Sequence, residues 1–227
     1  MHLLSLLLAV GLPVLSGPDA RLQLSFADDG GQLQYSISYD GKALVAPSSL
    51  GLRTNEADYT RLEVVSVDTE QLRDTYVLDR IKTSHVDHAA LRAVLHCANP
   101  DGRKIDIEWH LTDHDAAFRY LLPREGETGS VRVLAEASAF RFPEGTTGFL
   151  TPQSDAMTGW KRSKPSYEEF YAFDAPLDRR SQFGHGSPSP ACSASARTAG
   201  CSSARLAWTA ATAPRTCRTT TRPRATP

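Results

Sequence analysis

The side chains best suited to chemistry near neutral pH cluster twice in this chain, as His85-Val86-Asp87-His88 and as His110-Leu111-Thr112-Asp113-His114-Asp115. Imidazoles and carboxylates three and four positions apart would share one face of a helix and could hold a divalent transition metal there. On a strand the same spacings do not converge, and neither cluster is a His-Glu-x-x-His pattern. Both are read as solvated turn residues, and no transition-metal site is expected. Most other acids fall in turns, as do Asp28-Asp29 and Asp101, or on the polar side of alternating strands, as do Asp106 and Glu108, where ordinary solvation is expected. There is no Gly-rich phosphate loop and no Gly-x-Ser-x-Gly elbow.

The elements that would position these groups follow an apolar period of two. Leu22, Leu24 and Phe26 alternate with polar neighbours, and Leu33, Tyr35, Ile37 and Tyr39 do the same up to Asp40-Gly41, a strong hairpin signal. Residues 62–67, 91–97 and 118–122 add further runs, as do Ile105, Ile107, Trp109 and Leu111, the last group entered from the turn Asn99-Pro100-Asp101-Gly102. No stretch carries a convincing helical stripe. The pattern predicts an all-β chain, a predominantly antiparallel β-sandwich. Leu33, Tyr35, Ile37 and Tyr39 should share one side of their strand, and Ile105, Ile107, Trp109 and Leu111 one side of theirs. After Pro143 the pattern thins into a loop-like stretch through Trp160 and the segment from Pro165 to Tyr171.

Three segments are expected. Residues 1–17 read as an export signal: residues 3–15 are apolar apart from Ser5, Gly11 and Pro13, and Val14-Leu15-Ser16 offers a small residue for cleavage. That run is too short for a membrane span, so the chain is expected to be exported, periplasmic or extracellular. Residues 18–186 are one domain, large enough for a real core. Up to Gly186 there are 19 Lys and Arg against 26 Asp and Glu, a net charge of −7, which argues against a nucleic-acid partner. Cys97 is the sole cysteine before the tail, so no internal disulfide is available to the domain.

Residues 187–227 have a different character: 35 of the 41 are Ala, Ser, Thr, Arg or Pro, none is acidic, the charge is +6, and only Leu206 and Trp208 are large apolar residues. Burial at about 25 cal/mol per Å² cannot offset an ordering cost of about 1–2 kcal/mol per residue in such a segment. Two origins fit: a disordered basic extension, or out-of-frame translation of a GC-rich gene. Moving the frame back one base from Ser187 permits a text rich in Phe, with Leu, Val, Gly-Glu-Asp-Gly and Trp, which reads like strands joined by a turn. The tail is therefore expected to be irregular, and a well-packed strand pair within it would oppose the out-of-frame reading.

A family resemblance rests on four segments in order and spacing: Tyr35-Ser36-Ile37-Ser38-Tyr39-Asp40-Gly41-Lys42, Pro47-Ser48-Ser49-Leu50-Gly51-Leu52, Ala116-Ala117-Phe118-Arg119-Tyr120-Leu121-Leu122-Pro123 and Ser166-Tyr167-Glu168-Glu169. Together they resemble the N-terminal domain of glycoside hydrolase family 97, over residues 21–186. The resemblance implies a large N-terminal β-super-sandwich followed by a (β/α)8 barrel and a small β-domain, in exported α-glucosidases and α-galactosidases that commonly depend on calcium. The catalytic carboxylates would lie on the barrel, beyond the end of this chain. A truncated, frame-shifted member with an incomplete sandwich is the expectation, with no catalytic residue of its own.

Glycoside hydrolysis needs two carboxyl groups about 5–9.5 Å apart across the scissile bond. On the resemblance, what this domain contributes is Glu168, alternatively Glu169, at the domain interface or as one ligand of calcium. Calcium takes about six to eight oxygens, so none is expected to bind this chain alone. Trp160, Tyr167 and Tyr171 are candidates to face a sugar or the barrel. The implied partners are the barrel in cis and, for the full-length enzyme, an α-linked oligosaccharide or α-galactoside. The alternative is a free-standing exported carbohydrate-binding or interaction module, which the DNA following the stop codon would distinguish.

Overall fold

Alternation of period two becomes strands throughout. The computed structural model describes residues 12–80, 84–123, 131–150, 172–177, 179 and 192–194, and no helix forms among them. The first sheet is an antiparallel meander of β1 (Leu15–Ser16), β2 (Leu22–Asp29), β3 (Gln32–Tyr39) and β4 (Lys42–Ser49), in that order. Its tight turns carry positive φ at both central residues: 64° and 89° at Gly30 and Gly31, 49° and 74° at Asp40 and Gly41. That is the backbone twist a two-residue hairpin needs, and Gly and Asp tolerate it.

After β5 (Leu52–Thr54), a second meander runs β6 (Glu63–Val77), β7 (His85–Ala98), β8 (Lys104–Leu111) and β9 (Ala116–Leu121). The turn between β7 and β8 is the predicted one, with Gly102 at φ 78° and its N–H donating to the Asn99 carbonyl at 2.9 Å. β5 pairs with β10 (Val133–Glu136). β11 (Thr147–Leu150) lies between β12 (Ala172–Pro176) and β13 (Cys192–Ala194). The stretch read as loop-like after Pro143 thus holds one strand, β11, with β12 and β13 following beyond it, on few apolar residues, which is why alternation did not reveal them.

The two four-stranded sheets share one core. Leu22, Leu24, Leu33, Tyr35 and Ile37 come from the first, and Leu95, Ile105, Ile107, Trp109 and Leu111 from the second, all buried. The predicted facing is observed, with Tyr39 half-buried at the margin. Trp109 is central: its ring centroid lies 4.8 Å from Phe118, 5.2 Å from Tyr35 and 5.9 Å from Phe26. Its indole Nε1 has no hydrogen-bond partner among the described residues.

One element departs from the predicted boundaries. β6 and β7 run on together past β8, whose last rung joins Leu111 to Leu91, from Leu72 opposite Ala90 to Val77 opposite His85. His85 and His88 therefore stand in a strand and not in a turn. Along this ribbon the apolar side changes over. Within the sheet, Leu91, Ala93, Leu95 and Cys97 face the core, whereas Leu72, Tyr76, Val86 and Ala90 stand on the other face. Near its end Tyr76, Val77 and Leu78 are exposed.

Of the segments set apart in sequence, Leu15–Ser16 is β1, paired with β2, and Cys192–Ala194 is β13, paired with β11. The rest of the tail lies outside the described residues.

Candidate functional site

The face of the second sheet turned away from the core is built of alternating charges. Arg92 and His96 on β7, Asp106, Glu108 and His110 on β8, Arg119 on β9, and Asp68 and Glu70 on β6 all occupy it. Glu108 is its centre. The Glu108 side chain is 1% exposed, so its placement among ordinary solvated acids is corrected. Oε2 accepts from Arg92 Nε at 3.1 Å and Nη2 at 2.8 Å, and Oε1 meets Arg119 Nη2 at 2.6 Å and His110 Nε2 at 3.1 Å. Arg92 Nη1 reaches on to Glu70 at 3.3 Å.

Burial alone would raise the Glu108 pKa, but Arg92, Arg119 and His110 outweigh it and hold the carboxyl below its ordinary value. Both oxygens are engaged, so Glu108 is a structural anion and not a free acid or base. His110 is likewise corrected, from a solvated turn residue to a strand residue bonded to Glu108. His114 is in the predicted turn, with Nδ1 at 3.2 Å from the Tyr39 hydroxyl.

His96 joins three strands, with Nδ1 at 2.8 Å from Asp106 and Nε2 at 3.1 Å from Asp68. The hydrogen bond to Asp106 first, and then that to Asp68, raise its pKa above the ordinary 6.5. A raised native pKa means that the protonated ring stabilises the fold fully below the unfolded value and that this stabilisation is lost as pH climbs through the native value. Thermal unfolding from pH 6 upward should show a fall in midpoint that His96→Gln flattens. With the ring 38% exposed, solvent screening keeps the effect below about 1 kcal/mol. Equal pH slopes in the two proteins would remove His96 from this role.

Three of the four segments that carry the resemblance meet at a seam inside the domain. The Tyr120 hydroxyl accepts from the Gly51 N–H at 2.7 Å and lies 2.6 Å from Ser138 Oγ, while Tyr35 donates to the Ala139 carbonyl at 3.0 Å. A Cβ at Gly51 would lie 3.1 Å from Thr60 Cα, so the close approach favours glycine. Burial pushes the Tyr120 phenol up to about 12 and raises Tyr35 as well. These hydroxyls tie sheets together and do not titrate near neutrality. Cys97 is buried, its thiol also pushed up to about 12, so it is no nucleophile.

The fourth segment is not brought into this arrangement: Glu168, Glu169, Trp160, Tyr167 and Tyr171 all lie outside the described residues. Among the described residues no three His, Cys, Asp or Glu come together as a metal cage, and no helix is long and apolar enough to cross a membrane. Sequence reasoning missed the ring around Glu108. The signal was there as charge at every second position in Asp106-x-Glu108-x-His110, with opposite charge at Arg92 and Arg119 on the neighbouring strands.

Comparison with known proteins agrees with this architecture. The family described as Glycosyl-hydrolase 97 N-terminal matches residues 15–215. A protein of Streptomyces bingchenggensis (strain BCW-1) named "Probable retaining alpha-galactosidase" is 32% identical over 136 residues, which are 60% of this chain and 20% of that protein. The crystal structure of a beta-arabinopyranosidase superposes with a TM-score of 0.74 at 44% identity, over 80% of this chain and 29% of that one. A glycoside hydrolase family 97 enzyme from Pseudoalteromonas sp. strain K8 in complex with panose shares the fold at a TM-score of 0.57 and 18% identity, over 62% of this chain and 22% of its own. The chain thus spans between about a fifth and a third of the length of these relatives. It belongs to the glycosyl-hydrolase 97 N-terminal family.

Proposed function

We propose that this chain is the non-catalytic N-terminal β-sandwich of an exported glycoside hydrolase, and that it packs on a catalytic barrel and helps complete its active site. The observation that carries the reading is the family match over residues 15–215, combined with the small share of each longer glycosidase that the chain covers. Two structural features support it. Glu108, the buried acid among the described residues, is saturated by Arg92, Arg119 and His110 and has no capacity left for acid–base work. The ribbon of β6 and β7 turns apolar residues away from the domain's own core, as an element made to meet further protein would.

The substrate of the whole enzyme is proposed to be a galacto-configured glycoside. The names of the relatives at 32% and 44% identity support this, because an α-D-galactopyranoside and a β-L-arabinopyranoside share one ring configuration and differ by a hydroxymethyl group. Calcium finds no cage among the described residues. The part proposed for this domain is one carboxylate, from Glu168 or Glu169, added to ligands from the barrel, with Trp160, Tyr167 and Tyr171 facing the barrel or the sugar.

The purified chain is expected to release no aryl aglycone from α-galactosides, α-glucosides or arabinopyranosides above the buffer rate, with or without calcium. The same domain joined to its barrel should cleave at least one of them, and Glu168→Gln should weaken the calcium response of that enzyme. Turnover by the isolated chain at a rate comparable to the joined protein would overturn the non-catalytic reading.

A further inference from the structure

The sequence places the leader boundary near Ser16, yet the fold uses the residues on both sides of that bond. Leu15 is 5% exposed and belongs to the core, with Leu12 packed against it. Leu15 and Ser16 pair with Leu24 and Gln23, which covers the start of β2. The Gly17 N–H donates to the Leu22 carbonyl at 2.9 Å, and a Cβ on Gly17 would collide with the Thr112 carbonyl oxygen. Two residues on, the Asp19 N–H donates to Asp113 Oδ1 at 2.9 Å. The strap therefore belongs to the first sheet through β1 and to the second through the turn after β8. Cutting after Ser16 would remove the Leu12 and Leu15 side chains from the core.

We infer that β1 is part of the mature domain and that leader removal falls between Gly11 and Leu12. This rests on the export reading above. A leader peptidase reads small residues at the first and third positions before the bond it cuts, after an apolar stretch of about 7–15 residues. Ala9-Val10-Gly11 puts Ala and Gly there and leaves residues 3–8 before them, an apolar stretch just under that length, whereas a cut after Ser16 puts the bulkier Val14 at the third position. Water adds across the Gly11–Leu12 peptide bond, leaving a carboxylate on Gly11 and a free α-amino group on Leu12. The product begins with Leu12, which packs on the core.

The test is to express the full chain with a C-terminal tag in a Gram-negative host, recover it from periplasm and cytoplasm, and determine its mass and N-terminal sequence. The expected N-terminus is Leu12. Gly11→Arg should accumulate the precursor, while Ser16→Arg should not. In the exported product, Leu15→Ala should lower the unfolding midpoint by at least about 4 °C, and Leu15→Val should lower it less. An exported product that begins at Gly17 or Pro18, or a midpoint that neither Leu15 variant moves, would overturn the boundary and leave export standing. An uncleaved chain confined to the cytoplasm would overturn export and processing together.

Discussion

Trp109→Ala is expected to destabilise the domain by about 3–5 kcal/mol, a fall of about 10 °C or more in the unfolding midpoint. The indole sits where the sheets meet, within 6 Å of Phe26, Tyr35 and Phe118 by ring centroids, and its removal leaves a cavity with a ring on three sides. Total stabilities run at about 5–15 kcal/mol, so a weakly stable domain would unfold outright. Trp109→Phe should behave very differently. The buried Nε1–H has no acceptor among the described residues, so its loss relieves an unsatisfied donor and offsets part of the lost volume. We expect a cost below about 1.5 kcal/mol for that exchange. Denaturant or thermal unfolding of the two variants checks the pair, and a Phe variant as damaged as the Ala variant would show that the lost ring volume or a hydrogen bond from the indole N–H outweighs this relief.

Glu108→Ala is expected to cost about 2–3 kcal/mol, because it takes the acceptor from Arg92, Arg119 and His110 at once and leaves two guanidinium groups without the carboxylate between β7 and β9. Truncating one member of a wholly buried ion pair costs about 3–5 kcal/mol, but here the arginine side chains are 37% and 67% exposed and can rehydrate. Arg119→Ala should therefore cost less than about 1 kcal/mol. A Glu108→Ala protein within about 0.5 kcal/mol of the parent would show that the charges on this face are decoration.

What could be read from sequence, and what could not, divides along physical lines. Ile105, Ile107, Trp109 and Leu111 revealed both their strand and its inward side, because burial of one face of a pleated strand imposes a period of two. Asp40-Gly41 revealed its hairpin because few residues tolerate two successive positive φ angles. Glu108 could not be read in this way. Periodicity assigns it correctly to the face away from the core, but it is buried by partners from β7 and β9, Arg92 sixteen positions upstream and Arg119 eleven downstream, and register alone brings them together. The outer half of β6 and β7 was hidden for a related reason: its apolar residues change face at Leu91, so no single alternation runs through it. The resemblance motifs were legible as motifs but not as a seam. Tyr35, Gly51 and Tyr120 owe their positions to hydrogen bonds joining sheets, whereas the proposed barrel-facing residues lie in the fourth motif and its surroundings.

The order of strands within each sheet also has a kinetic consequence. β1 to β4 and β6 to β9 are each laid down as nearest neighbours in sequence, so every rung within a meander closes a short loop, with a small entropy cost. The pairing of β5 with β10 is of another kind: Asn55 Oδ1 accepts from the Arg132 N–H, 77 positions away, at 2.6 Å. Contacts at such separation must wait until the intervening meander has condensed. During refolding, amide protection should therefore arise in β2, β3, β7 and β8 before it arises at Leu52 to Thr54, and Asn55→Ala should quicken unfolding while leaving the folding rate nearly unchanged.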